Sequence, residues 1–112
     1  MATDATRTTA TARSREEAIA ALLDHEREIR ARGVTRLALF GSFARNEPTA
    51  DSDVDILVDI DRRRVFSLID FIDLQDYMAA ILGRPVDLME RDALGRPRLR
   101  DAVLRDVVQV FA

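Results

Sequence analysis

Residues 53–60, Asp-Val-Asp-Ile-Leu-Val-Asp-Ile, alternate with the period of two that belongs to a β-strand. Val54, Ile56, Val58 and Ile60 fall on one face, and Asp53, Asp55, Leu57 and Asp59 on the other. An apolar strand face has to be covered, so the chain is committed to a layered fold with a sheet at its centre. The same period puts Asp53 and Asp55 on one side with Cα atoms roughly 6.7 Å apart, near enough for both carboxylates to reach a common cation. At 112 residues the chain suffices for one compact domain, expected over residues 14–112.

The flanking sequence supplies the other layers. Ser14-Arg15-Glu16-Glu17 has the form of a capping box, and Ile19, Leu22, Leu23 and Ile29 trace one helical face, predicting a first helix over 15–32. Gly33 is placed to end it in a left-handed C-cap, and Glu26/Arg30 and Glu28/Arg32 can pair at i, i+4. His25 has no second His or Cys nearby and reads as a surface residue of this helix. Residues 34–40 are short, apolar and β-capable, and stop at Gly41. Gly41-Ser42-Phe43-Ala44-Arg45 then predicts a tight turn into a short helix, followed by a polar loop with Pro48.

Beyond the second strand, residues 61–64 form a charged connection and 65–82 a second long helix that ends at Gly83. Its apolar positions cover a face wider than one sheet contact needs, while Asp70, Asp73 and Asp76 stripe the opposite side; a well-buried helix accounts for this, and the alternative is that part of the face meets a partner. Residues 85–90 predict a third strand with Asp87 inside an apolar stretch. A last helix over 98–106 follows Pro97, and residues 107–111 predict an edge strand. The expected fold is an α/β sandwich: a small mixed β-sheet with helices packed on one face.

Composition narrows the chemistry. There is no cysteine, which excludes structural disulfides, thiolate zinc sites and thiol nucleophiles and fits a cytoplasmic setting. All 17 basic residues are arginine, set against 20 acidic residues for a net charge of −3, an unfavourable balance for general nucleic-acid binding. One Tyr, five Phe and no Trp leave little for stacking on bases. No run of about 18 apolar residues exists to span a membrane. Residues 1–13, rich in Thr, Ala and Arg, are expected to be a disordered tail.

If Asp87 reaches the sheet face of Asp53 and Asp55 from a neighbouring strand, three carboxylates converge, and their repulsion favours either a retained proton or a bound cation. Oxygen ligands without His or Cys select Mg²⁺ or Mn²⁺ over zinc. Two such ions about 3.5–4 Å apart suit phosphoryl or nucleotidyl transfer. Gly41 and Ser42, at the end of a strand and the start of a helix, can offer backbone N–H groups and a hydroxyl to phosphate, and Arg45 lies one turn further on.

Taken together, G-S-x-A-R, six residues and then S-D-x-D-I resemble the signature of the DNA polymerase beta nucleotidyltransferase superfamily, in particular its minimal nucleotidyltransferase branch. The resemblance covers residues 35–112 and includes Arg84-Pro85-Val86-Asp87-Leu88, where the family places a third carboxylate. It implies that Gly41 and Ser42 bind the triphosphate of ATP, and that Asp53, Asp55 and Asp87 are the catalytic, Mg²⁺-binding acids. Asn46 departs from the family, which commonly has Gly there; Asn tolerates a left-handed backbone. Ser52 is expected to orient the approach to the strand.

The resemblance further implies an antitoxin that attaches AMP to a hydroxyl, often of tyrosine, on a HEPN ribonuclease toxin, as part of a hetero-oligomer. Arg96, Arg98 and Arg100, and Arg62 to Arg64, are candidate contacts set against plain solvation. The alternative is a binding module that neutralises the toxin without chemistry. Transfer to a small molecule such as an aminoglycoside is disfavoured, because related enzymes use a second helical domain to hold that acceptor.

Overall fold

A computed structural model describes residues 11–112. Of the expected tail over residues 1–13, residues 1–10 lie outside the described residues. Ala12, by contrast, is buried and donates its backbone N–H to Leu82 O at 2.9 Å.

The elements are α1 (Arg15–Asp24), α2 (Glu26–Ala31), β1 (Val34–Phe40), α3 (Gly41–Ala44), β2 (Val54–Ile60), α4 (Leu68–Leu82), β3 (Val86–Glu90), a 3₁₀ turn (Arg91–Ala93), α5 (Pro97–Leu104) and β4 (Val108–Phe111). The four strands lie in the order β3-β2-β1-β4. β2 and β3 are parallel, whereas β1 runs antiparallel to both β2 and β4, so the sheet is mixed as expected.

The first helix is two helices, not one, and His25 is the reason. Its backbone N–H turns to Leu22 O at 3.1 Å, three residues back, while its ring Nδ1 lies 2.9 Å from Ala21 O, the carbonyl an unbroken α-helix would have given to that N–H. Ser14 Oγ accepts the Glu17 N–H at 3.1 Å, but the Glu17 carboxylate takes the N–H of Arg13 and leaves the box half formed. Arg30 pairs with Glu26 at 2.7 Å, whereas Arg32 lies over the Tyr77 ring.

The second long helix starts at Leu68 rather than 65. Ser67 and Asp70 form a reciprocal capping box there, a short-armed version of the Ser/Glu pattern, and Val65 and Phe66 stay outside it. Gly83 closes α4 where the helix was expected to end, and does so as a left-handed cap with φ 66°. α5 stops at Leu104, two residues short of expectation.

α1, α2 and α4 cover one sheet face, burying Leu22, Ile29, Leu74, Met78 and Leu82 against Leu37, Leu39, Ile56 and Val58. The other face is not bare. Leu57 packs there with Ala38, Phe40, Leu94 and Val103 of α5, which explains why β2 is apolar at Leu57 in the middle of its acidic face. β3 is an edge strand, and the Gln75 side chain accepts the Leu88 N–H at 3.3 Å, so one of its free amides is satisfied from within.

Candidate active site

The sheet brings its acids together where β1 ends. In the parallel pairing of β2 with β3, Asp55 stands opposite Asp87, and across the antiparallel pairing it stands opposite Phe40, the last residue of β1. Asp53 lies one residue before β2, not within it, and is exposed, as is Asp87; Asp55 is half-buried. Asp59, the remaining acid of that face, is spoken for by Arg36 at 3.0 Å and Arg91 at 2.9 Å and takes no part in the cluster.

Gly41 turns the chain directly over Asp55. Its φ is 70°, and a Cβ built there would overlap the Asp55 carboxylate, with the carboxyl carbon only 3.0 Å away. Glycine is thus required twice over, by conformation and by space. The short helix α3 follows, with Phe43 and Ala44 buried beneath it and Gly41 and Ser42 left half-buried at its start.

Asn46 adopts φ 59°, the left-handed conformation that its identity allows. Its side-chain oxygen accepts the Arg15 N–H at 3.0 Å, and the Arg15 guanidinium donates to Ala44 O at 3.2 Å, so the phosphate-loop candidate is tied to the first turn of α1. Only the loss of glycine in the motif hinted at this tie. Ser52 Oγ accepts the Thr49 N–H at 2.8 Å and shapes the approach to β2.

Arg45 pairs with Glu47 at 3.2 Å and Asp106 at 3.6 Å, and its side chain is 45% exposed. Exposed pairs of this kind contribute about 0.2–1 kcal/mol, so an incoming phosphate can redirect the guanidinium at small cost.

Electrostatically, Asp55 is the pressured member. Burial, then the charges of Asp87 and Asp53, push its carboxyl up from 3.8 to about 6, with Arg45 opposing the rise. A folded-state pKa above the unfolded one means that this group stabilises the fold fully below about pH 3.8, and that the contribution is lost as pH rises through about 6. Asp55→Asn, neutral throughout, should therefore raise Tm at pH 8. Discounted for solvent screening, the effect is on the order of 1 kcal/mol, or about 4 °C. The gain should vanish near pH 4; a gain that is equal at both pH values, or a loss at pH 8, contradicts this account.

Among the described residues no group of three or more acidic or histidine side chains is closed around a common ion-binding point. The donor chemistry nonetheless fits a hard divalent cation. Facing carboxylates, one of them destabilised as an anion, lie beneath a backbone turn from which a side chain is excluded by contact.

Comparison with known proteins gives a consistent picture. Residues 22–110 match the nucleotidyltransferase domain family. The chain is 44% identical over 96 residues to protein adenylyltransferase MntA of Thermococcus cleftensis, spanning 85% of this chain and 94% of that protein. A solved structure assigned as a minimal nucleotidyltransferase shares 36% identity at a TM-score of 0.63, over 84% of this chain and 89% of the other. A chain of the solved complex of tri-AMPylated Shewanella oneidensis HEPN toxin with MNT antitoxin superposes at a TM-score of 0.62 over 88% and 72% of the two chains. At 19% identity it shows a shared fold.

Proposed function

The chain belongs to the nucleotidyltransferase domain family, and from that premise we propose that it transfers AMP from ATP to a hydroxyl of a HEPN-type ribonuclease toxin and so acts as its antitoxin.

 
The acceptor in this reading is a tyrosine hydroxyl. The observation that carries the proposal is the register of Asp55 with Asp87 directly beneath the side-chain-free turn at Gly41.

In this reading Asp53, Asp55 and Asp87 hold Mg²⁺, in a site for two ions. The metal supplies Lewis-acid stabilisation of charge on the phosphates and lowers the pKa of an attacking hydroxyl. The remaining work belongs to the protein. Gly41 lets the triphosphate approach the backbone, the Ser42 hydroxyl and the first amides of α3 donate to it, and Arg45 exchanges its surface acids for phosphate oxygen. Asp87, on the edge strand and exposed, is open to the incoming acceptor and takes its proton as the oxygen attacks the α-phosphorus and pyrophosphate leaves.

Support for a protein acceptor comes from the surface. Val65, Leu68, Ile69 and Ile72 are 94%, 73%, 69% and 47% exposed, forming an apolar ridge at the start of α4. Exposed apolar side chains grouped at one helix start are what a protein partner would cover, which supports this reading. Arg62, Arg63 and Arg64, just before the ridge in the chain, and Arg96, Arg98 and Arg100 around the start of α5 are exposed as well and are further candidate partner contacts. Among the described residues no helix is long and apolar enough to cross a membrane.

The test is mass spectrometry of the HEPN partner after incubation with this chain, Mg²⁺ and each nucleoside triphosphate in turn. AMP-sized increments with ATP, lost when the acceptor tyrosine is changed to phenylalanine, are the expected result. The apolar ridge also favours a second reading, neutralisation by binding alone. A partner that stays unmodified yet is inhibited in a stable complex would establish that reading and remove the first.

A further inference from the structure

The residue that holds the approach to the acidic cluster is Arg84. Gly83 ends α4 in a left-handed turn, and the next side chain runs beneath the irregular loop between α3 and β2. The two N–H bonds of one guanidinium nitrogen, Nη1, are shared among three carbonyls of that loop: Thr49 O at 3.1 Å, Ala50 O at 3.3 Å and Ser52 O at 2.9 Å. Nε donates to Ala12 O at 2.5 Å, and the guanidinium carbon lies 5.2 Å from the centre of the Phe43 ring in α3. The adjoining Pro85 O accepts the Val54 N–H at 3.0 Å, so the two residues on either side of Asp53 are both fastened to the Arg84-Pro85 segment.

We propose that Arg84 is a positioning residue: it fixes the loop that delivers Asp53, and braces α3 through Phe43, so that the metal-binding acids and the phosphate turn keep a common geometry. The proposal rests on the assignment of Asp53, Asp55 and Asp87 as metal ligands. Three features single the residue out. Its contacts converge on the loop from one side chain, they go to backbone carbonyls and so are indifferent to the loop's side chains, and they reach both halves of the candidate site. A lysine has the charge but not the planar fork that meets several carbonyls and stacks on a ring at the same time. The sequence places Arg84 at the head of the Arg84-Pro85-Val86-Asp87-Leu88 segment but gives it no role there, since an arginine between a helix cap and a strand is ordinary.

The experiment compares wild type, Arg84→Lys and Arg84→Ala in the full chain by two readouts that need no partner protein. Amide hydrogen exchange over residues 46–56 should accelerate about tenfold in Arg84→Ala, and titration of Mn²⁺ in the presence of a non-hydrolysable ATP analogue should show affinity about tenfold weaker, the scale expected when support of a metal ligand is removed. Arg84→Lys should fall between, and it keeps the test open if the alanine variant does not fold. A purely structural role would lower Tm while leaving the Mn²⁺ affinity of the folded protein unchanged, and that result, or unaltered exchange in the loop, overturns the proposal. Wild type that binds no Mn²⁺ overturns the metal-site reading instead, and the positioning role with it.

Discussion

Asp53→Asn combined with Asp55→Asn is expected to reduce AMP transfer to the partner on the order of a thousandfold while leaving the complex with that partner intact. The carboxamides preserve the shape of both side chains but cannot neutralise a cation. Loss of metal-assisted charge stabilisation is worth several kcal/mol, and each 1.36 kcal/mol is about tenfold in rate. The fold should survive, because Asp55 is strained as an anion and gains nothing structural from its charge. Rates measured under single-turnover conditions, with circular dichroism and Tm on the same samples, separate lost chemistry from lost structure. Transfer within tenfold of wild type by the folded double variant would dismiss these acids as the catalytic set.

The pattern of the sheet was legible because period-two alternation and glycine punctuation are local signals. β1 spans Val34–Phe40 as expected, and Gly41 and Gly83 break the chain where they were predicted to. What the sequence concealed was non-local or depended on competition for one acceptor. The break at His25 follows from a ring nitrogen lying at the carbonyl its own amide would have used, which periodicity does not report. The cover over Leu57 comes from Leu94 and Val103, some forty residues away, and only packing reveals it. At the site, residue types and spacing were sufficient to nominate Asp53, Asp55 and Asp87, and the register of Asp55 with Asp87 is a property of strand pairing that spacing along the chain does not encode. The fastening of the loop by Arg84 was hidden for the same reason.

Gly41→Ala is the substitution in which space and conformation can be told apart. The alanine carries two burdens: a left-handed backbone at φ 70°, costing about 1–2 kcal/mol, and a methyl group that overlaps the Asp55 carboxylate. Asp55 must rotate away, which separates it from Asp87, and a displacement of about 1 Å at a reacting centre is enough to lower a rate on the order of a hundredfold. The expected result is a fall in stability of about 2–3 kcal/mol together with that loss of transfer. Adding Asp55→Ala to Gly41→Ala removes the overlapped oxygen and carboxyl carbon but not the Cβ, which would lie an acceptable 3.4 Å from the new methyl. The double variant should therefore be more stable than the sum of the single changes by about 1 kcal/mol, the residue of destabilisation being the backbone conformation alone. Additive stabilities would mean that the glycine is there only for its φ, and that the close approach of the turn to Asp55 has no energetic meaning.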